Sequence, residues 1–230
     1  MNYTTNSLRS INKMMEEEKK KICKWLDDIF GFAIEPEIIF ESYKKIGAHA
    51  CSLENKVYIC VEILRYKNSV LNFYLPHELI HQYLGVHVIF SGDCSLFILE
   101  ILVELIQYFY LREKNIDKFY QEYLKKYILE NKEKFVNDLN KSLYHSINMC
   151  INYIDPFFFK IGVYILIEEI KDFNLLKILL NKIITHNIYS STDFFNDVAI
   201  IWGIDIKKSL VEYLKMPLKK LLSEIGGILC

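Results

Sequence analysis

His77, Glu78 and His81 form the pattern H-E-x-x-H inside the ten residues Pro76–Gly85, PHELIHQYLG. On a helix, histidines four apart stand one turn apart on one face. One nitrogen from each can then reach a single zinc ion at about 2.0–2.1 Å. Glu78 falls about 100° round the same turn, where a carboxylate can take a proton from water without being a ligand. Pro76 suits the first helical position and Gly85 the left-handed residue that ends a helix, so the pattern predicts a helix bounded by these two. Two histidines do not complete a zinc centre; a third protein ligand is required.

The stretch Ser95–Glu113 supplies candidates. From Leu96 to Tyr110 the polar positions are Glu100, Glu104 and Gln107, which fall at i, i+4 and i+7 and so form one narrow stripe on an otherwise apolar helix. Carboxylates in such surroundings cost several kcal/mol, on the order of a lost buried ion pair, unless metal or strong hydrogen bonds compensate. The stripe is therefore expected to face a site rather than solvent. Glu100, nineteen residues after His81, would complete a two-histidine, one-glutamate set. His87, six after His81, has the spacing of the three-histidine proteases, but that class needs glycine three residues after the second histidine, and Leu84 stands there with Gly85 one place later. Asp93 and Glu104 are further possibilities. The stripe favours Glu100.

These side chains need a scaffold. Residues 7–30 place Leu8, Ile11, Met15, Ile22, Trp25, Leu26 and Phe30 at helical spacing before Gly31, an amphipathic helix. Glu37–Ser42 and Lys56–Leu64, rich in Ile, Val, Tyr and Phe, read as strands, and Ala48–Leu53 as a weaker one. After residue 95 no further strand is expected, and the helical remainder is broken near Asn115, Asp155, Asn187, Gly203 and Pro217. The predicted class is α+β, a single domain over residues 1–230 with an N-terminal α/β lobe to about 95 and a helical lobe beyond it.

Composition narrows the partners. In 230 residues, 52% hydrophobic and 25% charged, a net charge of −1 provides no electrostatic footprint for nucleic acid. The first thirty residues carry EEEKKK and no early apolar run, so no signal peptide is expected. Leu96–Tyr110 and Pro156–Ile167 are too short to span a bilayer. A cytoplasmic protein without a membrane partner is expected, and its six cysteines, none in a CxxC spacing, read as small core residues.

HELIHQYLG followed by Glu100 resembles the zinc signature of the aminopeptidase N family of gluzincins, H-E-x-x-H-x18-E. Phe159-Lys-Ile-Gly-Val-Tyr-Ile-Leu166 is similar to that family's Y-x-K-G-x-x-V-L segment, and Ser191-Thr-Asp-Phe-Phe through Gly203-Ile-Asp-Ile206 to Pro217 resembles the end of its catalytic domain. The resemblance covers about residues 50–217. It implies a thermolysin-like zincin catalytic domain standing alone, without the flanking domains of typical members, holding zinc through His77, His81 and Glu100. It also implies that Glu104, one turn after Glu100, orients a zinc-bound imidazole through its second nitrogen.

Two departures qualify the expected activity. The family's oxyanion-stabilising tyrosine is replaced by Phe159, so that role is expected of Tyr153 or Tyr164. Loss of one such donor typically costs about 10²–10³ in rate. The family's amine-binding G-A-M-E-N motif is reduced to Leu53-Glu54-Asn55, with Gly47-Ala48 apart from it, so Glu54 as an amine-binding carboxylate competes with a plain turn residue. The expected function is a zinc metallopeptidase that processes a peptide or unfolded protein segment. Glu78 would be its general base, and Lys56–Leu64 a cleft-edge strand to which the substrate adds. The alternative is a catalytically weakened peptide-binding module of the same fold.

Overall fold

In the computed structural model, residues 5–134, 140–142, 155–170 and 172–227 are described. The chain is α+β and mostly helical. It divides into two compact units, Met1–Val88 and Ile89–Cys230.

In the first unit, helix α1 (Thr5–Phe30) buries Met15, Ile22, Leu26, Ile29 and Phe30, the face anticipated from its periodicity. Gly31 ends it at φ 76°, donating its N–H to Asp27 O at 2.8 Å. Strands β1 (Glu37–Glu41), β2 (Ala50–Leu53) and β3 (Lys56–Cys60) form a sheet of order β1-β3-β2. β2 and β3 are antiparallel, with Leu53 opposite Lys56, and are joined by Glu54 and Asn55 at φ 50° and 58°. Positive φ at both central residues is what a tight two-residue hairpin turn demands. β1 runs parallel to β3, with Glu37 opposite Lys56 and Glu41 opposite Cys60.

Two expectations are corrected here. β3 ends at Cys60 rather than Leu64, because Val61–Tyr66 winds into a 3₁₀ turn. The ladder with β1 ends at Cys60 opposite Glu41 and that with β2 at Ile59 opposite Ala50, so beyond Cys60 neither neighbouring strand holds the chain extended. And β3 is the central strand, hydrogen-bonded on both sides, so it is not an edge; among the described residues the edges are β1 and β2.

From Lys67 to Tyr74 the chain continues through a short α-turn and a π-turn directly into the motif helix, Leu75–His87. Pro76 lies in its first turn, as anticipated. Gly85 does not end it: the helix runs on through Val86 and His87, and stops where Val88 turns to extended backbone at φ −130°, ψ 128°.

The second unit begins with β4 (Ile89–Ser91), paired in parallel with β5 (Ile188–Ser190), a strand that the sequence did not announce. Three residues are too few for a period-two pattern to register. The carboxylate helix, Ser95–Glu113, packs against helices Asp117–Asn131 and Pro156–Glu169. Gly162 lets the last of these pack close to the carboxylate helix: a Cβ there would lie 2.7 Å from Ile101 Cδ1 and 2.8 Å from Phe97 Cζ. Helices Phe173–Ile184, Ser191–Ile201, Ile204–Lys215 and Leu218–Gly227 follow, with breaks at the expected Asn115, Asp155, Asn187, Gly203 and Pro217. Among the described residues no helix is long and apolar enough to cross a membrane. Of the cysteines described, Cys60 and Cys94 are buried and Cys23 and Cys51 half-buried.

Candidate metal centre

The motif helix is held by its apolar and hydrogen-bonding positions. Leu75, Leu79, Ile80, Tyr83 and Leu84 are fully buried. Tyr83 donates its hydroxyl to Asp27 and also meets Cys23 O on α1, while Gln82 Nε2 donates to Lys56 O of β3 at 3.1 Å. These anchors fix the helix on both sides and fix its rotation. His77 and His81, on the remaining face, are half-buried.

Their imidazoles converge. The two Nε2 atoms are 3.2 Å apart, and the rings stand at 70° with centroids 4.8 Å apart. Two nitrogens bound to one tetrahedral zinc at about 2.0–2.1 Å would be separated by about 3.3 Å, so the pair fits such an ion. One ligand atom from each of His77, His81 and Glu100 lies within 4.8 Å of the other two. Two imidazoles and one carboxylate are the donor set of a catalytic zinc centre with an open fourth position. Among the described residues no other three His, Cys, Asp or Glu side chains come together in this way. The other candidates lie elsewhere: His87 is exposed with its ring 4.3 Å from that of Phe32, and Asp93 is exposed.

Glu78 is buried at 7% exposure, beside the histidines on the same helix. Cys51 on β2 feels its charge: burial chiefly, and Glu78 in addition, push that thiol above its ordinary range. The general-base candidate thus lies within electrostatic reach of the β2 edge of the sheet.

The stripe on the carboxylate helix is not solvated. Glu104 and Gln107 are buried at 3% and 2%, and Glu100 is half-buried. Glu104 Oε1 accepts a hydrogen bond from Lys160 Nζ at 2.9 Å, and that ammonium is flanked by the rings of Tyr123, Tyr127 and Phe159 at 5.2, 5.6 and 5.3 Å. Lys160 is a partner that the spacing of the stripe does not reveal. The available signal was a lone lysine inside the apolar run FFFKIGVYILI, where a buried cation needs a carboxylate.

Of the residues expected to replace the missing oxyanion tyrosine, Tyr164 is buried on the helix Pro156–Glu169, and Tyr153 lies outside the described residues. Phe159 is buried at 6%. Glu54 is exposed in the β2–β3 turn. Comparison of the chain with protein-family models, with curated proteins and with solved structures finds no match.

Proposed function

We propose that the chain is a zinc-dependent metallopeptidase of thermolysin-like, gluzincin type, with His77, His81 and Glu100 as the zinc ligands. The observation that carries this reading is the convergence of those three ligand atoms next to the buried Glu78. Bound zinc would act as a Lewis acid, polarising the scissile carbonyl and lowering the pKa of a water to about 7.

The chain's own residues do the rest. Glu78 takes the proton of the attacking water at its carboxylate and returns it to the leaving amine nitrogen, so one group serves as base and then acid. Glu104, held by Lys160, is the positioning carboxylate for a ligand imidazole. An extended peptide would add to the edge strand β2, the strand within electrostatic reach of Glu78, in place of the central β3. Tyr164 is the oxyanion donor in this reading. The substrate is a peptide or unfolded segment, and the setting a cytoplasmic processing step.

The test is direct. Purified chain carrying one zinc should hydrolyse a mixed peptide library, and Glu78→Gln should keep the zinc and lose the hydrolysis. An active Glu78→Gln protein would overturn the mechanism. One residue favours the second reading, a peptide-binding module without turnover: Phe159, which carries no hydroxyl where the resembling family has its tyrosine. Zinc-loaded protein that binds peptides without cleaving any member of the library would establish it.

A further inference from the structure

The first unit contains a cleft of about 550 Å³ whose walls include Tyr43, His49, Glu62, Arg65, Tyr66 and Tyr74. That volume is in the range of small-molecule sites, about 300–1,000 Å³. Two opposite charges line it without joining. Glu62 and Arg65 are three apart in the 3₁₀ turn Val61–Tyr66, a spacing that puts side chains on one face. Among the described residues, nevertheless, neither forms an ion pair.

Each charge is held by other neighbours. Glu62 Oε2 accepts from Cys60 Sγ at 2.7 Å and from Tyr43 N at 3.2 Å. The Cys60 thiol, first among its neighbours, keeps this carboxyl below the usual range and so ionised. The Arg65 guanidinium lies over the Tyr66 ring at 4.7 Å. The same cleft is lined by aromatic rings, with the His49 ring 5.8 Å from both Tyr43 and Tyr74, and Tyr74 Oη 3.4 Å from His49 Nδ1.

We infer that this cleft binds a small zwitterion, an α-amino acid or dipeptide, with its ammonium on Glu62 and its carboxylate on Arg65. A separated anion and cation that are each anchored elsewhere present a charge-assisted partner to both ends of such a ligand without first breaking an internal ion pair. The rings of Tyr43, His49 and Tyr74 then offer an apolar face to its side chain, and their electron-rich faces favour the ammonium as well. A ligand of one sign only would meet a like charge in the same cleft. The inference does not depend on the metal centre.

The experiment titrates full-length Glu78→Gln protein, followed by calorimetry or chemical shifts, with tyrosine, Gly-Tyr, N-acetyl-Gly-Tyr and Gly-Tyr amide. Tyrosine or Gly-Tyr should bind saturably, and either cap should weaken Gly-Tyr by on the order of tenfold or more, the value of one charge-assisted hydrogen bond. Glu62→Gln should erase the discrimination against the acetyl cap, and Arg65→Gln that against the amide. Equal binding of capped and uncapped peptides, or no saturable binding of any of the four, would overturn the inference. Zinc content measured on the same samples separates the two readings: a zinc-free protein that still discriminates the caps sinks only the metallopeptidase.

Discussion

Lys160 Nζ lies 2.9 Å from Glu104 Oε1, and the two side chains are only 8% and 5% exposed. A pair this deep contributes little net stability over apolar residues of similar size, yet removing one partner leaves an uncompensated buried charge, a loss of about 3–5 kcal/mol. Lys160→Met and Glu104→Leu are each expected to destabilise the protein by that amount. The double variant should recover most of it, since it strands neither charge. Urea denaturation in the presence of a chelator measures the cycle without any contribution from metal. Additive losses in the double variant would show that the two residues act separately.

The separation of 3.2 Å between His77 Nε2 and His81 Nε2 leads to a prediction about metal loading. His81→Ala and Glu100→Ala should each abolish stoichiometric zinc, whereas His87→Ala and Asp93→Ala should leave it unchanged, as neither belongs to the converging group. Zinc at about 1,000 times its dissociation constant should raise the stability of the unaltered chain by about 4 kcal/mol, seen as a higher unfolding midpoint. His81→Ala should show no such rise. Zinc that survives Glu100→Ala in full would move the third ligand elsewhere.

What could be read in advance follows from how local each feature is. The H-E-x-x-H helix and the buried stripe were legible because both are helical periodicities within one segment. Strand β3 was legible from its local content of β-branched and aromatic residues, and β2 more weakly, although their antiparallel pairing was not. Nor was the second neighbour of β3: β1 joins it across nineteen positions, and no local pattern states which side of a strand a distant partner takes. Lys160 and Glu104 are 56 residues apart, so each could be marked as a costly buried charge but not matched to the other. The cleft of Glu62 and Arg65 was hidden by a misassigned period. Val61–Leu64 has the Val, Ile and Leu content of a strand, but β1 and β2 pair with β3 only as far as Cys60 and Ile59, and the chain beyond winds into a 3₁₀ turn. Gly85 misled in the opposite direction, for glycine permits a helix end but does not compel one.

Gly162 lies where the helix Pro156–Glu169 meets the carboxylate helix, and an added Cβ would fall 2.7 Å from Ile101 Cδ1 and 2.8 Å from Phe97 Cζ. Alanine is the better helix former by about 1 kcal/mol. Overpacking of a filled core costs about 1–3 kcal/mol, and contacts this short on two large buried side chains place Gly162→Ala at the upper end. Gly162→Ala is expected to destabilise on balance. Adding Ile101→Val, which removes the Cδ1 atom, should restore part of the loss. Thermal midpoints of the two single variants and the double variant check this, and a stabilised Gly162→Ala protein would contradict it.

The buried thiols predict how stability changes with pH. Burial is the main cause that pushes Cys23 up to about 11, against the lowering effect of a hydrogen bond from Tyr83. Burial, followed by the charge of Asp93, likewise pushes Cys94 up to about 11. Tyr83 and Tyr189 are also raised well above the ordinary tyrosine range, by burial and then by their hydrogen bonds to Asp27 and Asp197. In each case the folded pKa exceeds the unfolded one, so above the ordinary thiol value of 9.0 the folded state retains protons that the unfolded chain has released. Their stabilisation is therefore complete below about pH 9 and is lost progressively as the pH rises through about 11. Urea midpoints measured from pH 8 to 11 should fall across that window. In Cys23→Ala/Cys94→Ala protein the fall should be shallower, with the raised thiols of Cys51 and Cys60 and the two tyrosines responsible for what remains. An equal slope in the two proteins would show that the thiols are as free to ionise in the fold as out of it.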